Sequence, residues 1–184
     1  WLDVTVRGRR CWWLDILSLT PFWTGLDVMA VYTGDVPAAL QGCQYIFERE
    51  IAWGDMDAMK HVNNTRYLHF CESARIEFLR TQTQWNDDRI PGEADEIGLA
   101  LAEVSCRYKA PVVYPDTLLI GLGAQKIDAN SFELKHVMYS QSLQLIAAES
   151  IARMVNYNFK ALQRVSFNDS QNEFLQQFST PSTL

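Results

Sequence analysis

Between Trp53 and Arg75 the chain reads WGDMDAMKHVNNTRYLHFCESAR. Two carboxylates, Asp55 and Asp57, are followed by His61 and then by Asn63 and Asn64, which open a helical pattern. The first N–H groups of a helix have no partner within it and carry a partial positive charge. A carboxylate held near such donors can attack a carbonyl, or activate a water against it, while the amides receive the oxygen. Spacing alone leaves a second role open for Asp57, as a cap on the turn or on the helix. Asp55 reads first as a turn or salt-bridge residue and second as a reserve acid. His61 reads as a histidine satisfied by a backbone carbonyl, or as a group that orients Asp57 or a water. Asn63 and Asn64 are caps first and ligand contacts second. Tyr67 and Trp53 fit the core or the wall of a ligand pocket equally well.

The elements around this stretch follow from periodicity. Residues 45 to 53 alternate, with Tyr45, Phe47, Ile51 and Trp53 on one side and Glu48 and Glu50 on the other and Arg49 as the exception, which predicts a strand. A helix is expected from about residue 64 to 80. Its apolar positions, including Leu68, Ile76 and Leu79, spread beyond one narrow stripe and predict cover on several sides. Residues 83 to 97 read as a long loop, either a lid or a dimer contact. Four strand-like runs follow, at 99–110, 117–127, 131–141 and 145–159, the last three joined tightly as an antiparallel meander. The tail from Ser166 predicts a short surface helix near Asp169 to Phe178 and loose final residues.

Size and composition bound the rest. The 184 residues suffice for one domain with a core, and the net charge of -6 argues against a nucleic-acid partner. Cys11, Cys43, Cys71 and Cys106 form no CxxC pair, so no metal site is expected and reduced thiols in a cytoplasmic protein are. No apolar run is long enough to span a bilayer. Residues 1 to 42 read as an N-terminal extension and linker, residues 43 to 165 as the folded domain and 166 to 184 as the tail. Within the extension, residues 1 to 28 carry Trp1, Trp12, Trp13 and Trp23 beside Arg7, Arg9 and Arg10. They are expected to be translated upstream sequence or an artificial addition before a native start at Met29. The competing expectation is an amphipathic segment that docks on a membrane or partner.

The run from Trp53 to Arg75, together with SCRYKAPVVYPDTLLI from Ser105 to Ile120, resembles the hotdog-fold acyl-CoA thioesterases of the 4-hydroxybenzoyl-CoA thioesterase type. The resemblance continues through KIDANSFELKHVMYS and the closing strand, roughly residues 45 to 165. Its most specific part is HVNN-x-x-Y-L followed by Glu72, Ala74 and Arg75. It implies an α+β hotdog fold: a five-stranded antiparallel sheet wrapped around one long central helix. It implies hydrolysis of an acyl-CoA to free acid and CoA by a homodimer or homotetramer. No cofactor is implied, with coenzyme A entering only as part of the substrate. The family's catalytic acid falls on Asp57, as nucleophile or general base, and the helix-start amides form its oxyanion hole. His61, Val62, Asn63, Asn64, Tyr67 and Trp53 become the candidate substrate-binding positions. Many members have glycine just before the His-Val pair, where this chain has Lys60. Arg107, Lys109, Lys126, Arg153 and Lys160 are candidates for the CoA phosphates. Two alternatives stand: a hotdog enoyl-CoA hydratase or dehydratase using His61 with Glu72, and a non-catalytic acyl-CoA binding module.

Overall fold

The computed structural model describes residue 32, residues 34–81 and residues 97–179. The expectations for residues 1 to 28, for most of the loop at 83–97 and for the last residues lie outside them. The elements are β1 (Tyr45–Glu50), α1 (Asn64–Arg80), β2 (Ile97–Tyr108), β3 (Thr117–Gln125), β4 (Ser131–Ser140), β5 (Leu145–Asn158), β6 (Gln163–Arg164) and α2 (Asp169–Gln177). All strand pairs are antiparallel, in the order β1-β3-β4-β5-β2. β6 is a short addition to the expected five strands and pairs with the end of β5 through Tyr157 and Arg164.

The helix departs from expectation in its surroundings. Its buried residues are Tyr67, Phe70, Cys71, Ala74, Arg75 and Phe78, a single stripe at helical spacing. Ile76 is exposed, and Leu68 and Leu79 are only half-buried. In a single copy the sheet therefore covers one face of α1 rather than wrapping it. Leu118, Ile120 and Leu122 of β3, with Leu134 and Met138 of β4, supply the opposing layer.

β3 is buried on both faces. Its second cover comes from the segment before β1. Leu40, on a short 3₁₀ turn (Ala38–Leu40), packs with Ile46, Leu119, Val137 and Tyr139, with Cys43 alongside. A Cβ on Gly121 would lie 2.4 Å from Cys43 Sγ, so this close approach requires glycine on β3. Residues that read as linker by composition thus cover part of the sheet.

The tail helix is also more than a surface element. Asn168 caps α2 by accepting from Gln171 N–H, and Gln171 and Leu175 are buried. Phe178 stacks on Phe78 of α1 at a centroid distance of 4.3 Å. Its carbonyl accepts from Ala124 N–H on β3. The tail closes the C-terminal end of α1 with aromatic surface.

Candidate active site

β1 ends earlier than its alternation suggests. Ile51 N–H donates to Asp116 O as the last bond in register with β3, and a 3₁₀ turn, Trp53–Asp55, then takes the chain off the sheet. Trp53 is thereby turned outward, 73% exposed, and meets Tyr114 edge-on at 6.0 Å.

Beyond the turn, Met56 and Val62 pair as an isolated antiparallel bridge that closes the loop between them. Asp57 N–H donates to His61 O, and Lys60 N–H donates to Asp57 O, both at 2.9 Å. Asp57 Oδ1 accepts from Met59 N–H at 2.7 Å. A short side chain bonded to backbone two residues on is the Asx turn that aspartate favours. Lys60 has φ 64, the left-handed conformation that glycine adopts at no steric cost. The departure from the family's glycine therefore leaves the turn intact, with a lysine held in it. Asp57 is half-buried, and His61 is exposed beside it.

The helix start sorts its amides sharply. Val62 N–H donates to Val112 O at 2.8 Å and Asn63 N–H to Asp55 O at 2.9 Å. Thr65 N–H is capped by Asn63 Oδ1 at 2.9 Å, and Arg66 N–H donates to Asn63 O at 2.9 Å. Among the described residues, this leaves the N–H groups of His61 and Asn64 without a partner. Asn64 N–H belongs to the first residue of α1, where the helix dipole is most positive. The expectation of a broad ring of donors thus narrows.

Tyr67 is buried and meets Tyr108 of β2 edge-on at 5.2 Å. Tyr108 in turn donates from its hydroxyl to Asn64 O at 2.9 Å, so β2 touches the helix start directly.

Asp55 takes neither side of the chemistry. It is 1% exposed, and its oxygens accept from Ala52 N–H and from the Arg66 guanidinium. Burial acts to raise its pKa. The Ala52 amide, Arg66 and Arg49 outweigh that and hold the carboxyl below its usual range.

The basic candidates separate as well. Lys109 pairs with Glu149, Lys126 with Glu133 and Arg153 with Asp128. Arg107 makes no ion pair among the described residues. Glu72, the hydratase acid, lies on α1 with His69 and Arg75 as its ion-pair partners. A cleft of ≈ 510 Å³ between β1, β3 and the β4–β5 turn is lined by Glu50, Tyr114, Asp116 and Ser142 among others, and by none of Asp57, His61 or Asn64.

The thioesterase-like superfamily matches residues 51–178. The chain belongs to this family. Among curated proteins it is similar to the long-chain acyl-CoA thioesterase FadM of Escherichia coli, 27% identical over 124 residues that make up 66% of this chain and 89% of that protein. Among solved structures it is similar to a 1,4-dihydroxy-2-naphthoyl-CoA thioesterase from Synechocystis, with TM-score 0.64, 17% identity and coverage of 74% of this chain and 98% of the other. A gentisyl-coenzyme A thioesterase superposes with TM-score 0.60 at 22% identity, covering 71% of this chain and 98% of that one. These likenesses establish the hotdog thioesterase fold, a curled antiparallel sheet with a helix against it. The assignment as a thioester hydrolase agrees with the reading of the sequence. No helix among the described residues is long and apolar enough to cross a membrane.

Proposed function

We propose that this thioesterase-like protein hydrolyses an acyl-CoA to free carboxylic acid and CoA, with Asp57 as the reacting carboxylate and Asn64 N–H as the main oxyanion donor. One observation carries the reading. A half-buried carboxylate with one oxygen bonded only to a backbone amide stands on the loop that leads into a helix whose first N–H is unpartnered. In the general-base form Asp57 takes a proton from water, the hydroxide adds to the thioester carbon, and the oxygen's negative charge rests on Asn64 N–H. Collapse of the adduct expels the CoA thiolate, which takes up a proton. In the nucleophilic form the carboxylate adds to the thioester carbon and the C–S bond breaks, releasing the CoA thiolate, which takes up a proton; water then hydrolyses the mixed anhydride to the free acid and regenerates Asp57. General-base help contributes about 10²–10⁴-fold, and one oxyanion donor roughly 2.7–4 kcal/mol.

The functional unit in this reading is a homodimer. Among the described strands β2 pairs with β5 alone, and Ile97, Leu101, Val104 and Tyr108 are exposed along it. A long apolar edge strand is a template for pairing with another chain. Two copies joined there form a continuous sheet about both α1 helices, the central-helix arrangement that the sequence resemblance implies. Tyr67 and Tyr108 then line the acyl path, and Arg107 is the first candidate for a CoA phosphate. Cys43, Cys71 and Cys106 are free thiols, in keeping with the reducing cytoplasm as the site of action.

The test is thiol release from a panel of acyl-CoAs of varied length and ring content. Release from at least one of them, abolished in Asp57→Asn with binding retained, supports hydrolysis. Binding without release in the wild type supports the binding module instead.

A further inference from the structure

We infer that Asp55 is a positioning residue of the thioester site, the buried anchor that sets the gap between Asp57 and the Asn64 amide. The inference rests on the reading of Asp57 and Asn64 above and adds the group that holds them in place.

Asp55 stands two residues before Asp57, and its bonds join the chain leaving β1 to the first turn of α1. Its Oδ1 accepts from Arg66 Nε at 2.7 Å and also from Arg66 Nη2. Arg66 is the third residue of α1, two positions beyond Asn64. Its Oδ2 accepts from Ala52 N–H at 2.9 Å, which fixes the chain leaving β1, and Arg49 Nη2 lies 3.9 Å away. Its backbone carbonyl accepts from Asn63 N–H at 2.9 Å. One residue thus ties the loop that carries the acid to the first turn of the helix that carries the donor. By engaging Asn63 N–H it also removes a competing donor next to Asn64.

The partner side is braced too. The guanidinium carbons of Arg49 and Arg66 lie 5.1 and 5.9 Å from the ring centroid of Phe70, a buried α1 residue. A forked guanidinium seated on an aromatic face and paired to a carboxylate fixes direction as well as distance. Asp55 itself is closed to solvent with both oxygens engaged, so it reaches neither substrate nor water. Its effect on the reaction passes through geometry, where a misplacement of about 1 Å costs about 10²-fold.

The experiment compares full-chain Asp55→Asn, Arg66→Gln and Arg66→Lys with the wild type and Asp57→Asn, using an acyl-CoA that the wild type cleaves. Thiol-release kinetics and thermal unfolding are recorded for each. Arg66 is 39% exposed on its side chain, so its replacement tests the link even where Asp55→Asn fails to fold. Asp55→Asn and Arg66→Gln are each expected to lower kcat by about 10²-fold with KM changed less than threefold. The double variant is expected to be no worse than the poorer single variant, and Arg66→Lys to recover part of the loss. A purely structural role would lower the melting temperature and the active fraction without this coupling or the partial recovery by lysine. Folded Asp55→Asn and Arg66→Gln with kcat within twofold of the wild type, beside an inactive Asp57→Asn, overturn this inference alone. Full activity in Asp57→Asn overturns the reading of the site, and the inference with it.

Discussion

The hydroxyl of Tyr108 on β2 donates to the main-chain carbonyl of Asn64 at the first turn of α1, over 2.9 Å. The exposed edge of the sheet and the proposed oxyanion donor are therefore one bond apart. Any partner that pairs with β2 comes within reach of the helix start.

Tyr108→Phe removes that bond while keeping the ring against Tyr67. A net hydrogen bond is worth about 1 kcal/mol. The expected result is a stability loss of about that size in urea unfolding, with a several-fold fall in kcat. Unchanged stability and turnover would show that the bond does not hold the helix start.

Lys60 sits at φ 64, a conformation that costs a non-glycine residue about 1–2 kcal/mol. Glycine removes that cost but adds freedom to the unfolded chain. Lys60→Gly is expected to raise stability by a net 0.5–1 kcal/mol or so. A lower urea midpoint would contradict it.

Asn63 caps α1 by accepting from Thr65 N–H. Asn63→Ala is expected to cost about 1 kcal/mol, and Asn63→Gly only a few tenths. Equal losses for the two replacements would argue that the cap is not what Asn63 contributes.

His136 on β4 is fully buried near Arg75 and Cys71 of α1 and Ser150 of β5. Burial first, and the charge of Arg75 second, push its pKa down from 6.5 to about 3. Between those values the unfolded chain binds a proton that the native chain refuses, so stability falls as pH drops through that window. The contribution is fully present above about pH 6.5, and its slope reaches about 1.4 kcal/mol per pH unit. His136→Leu is expected to flatten the pH dependence of unfolding free energy between pH 6.5 and 4, and an unaltered slope would contradict this account.

What the sequence made legible was local. The strands at 117–127 and 131–141 follow from the turn residues that precede them and the helix at 64–80 from an Asn cap, all local signals. They appear as Thr117–Gln125, Ser131–Ser140 and Asn64–Arg80. The rest depends on contacts between distant residues. Trp53 continues the alternation of β1, yet the 3₁₀ turn at Trp53–Asp55, held by Ala52 N–H on the Asp55 carboxylate that also reaches Arg66, ends the strand and leaves the indole exposed. Leu40 sits in a stretch that is small and polar by composition, and only the bare backbone at Gly121 shows why it can dock. The stacking of Phe178 on Phe78 joins two helices far apart in the chain. Within the site, Asp57 stood out by its place before a helix start. The Asp55–Arg66 tie did not, because nothing in their spacing says which helix residue turns back toward the loop.

The most direct measurement is CoA thiol release by the wild-type chain and by Asp57→Asn, with ligand binding measured alongside. The account predicts a loss of kcat of about 10²–10⁴-fold with binding retained. Turnover in Asp57→Asn equal to that of the wild type would contradict it.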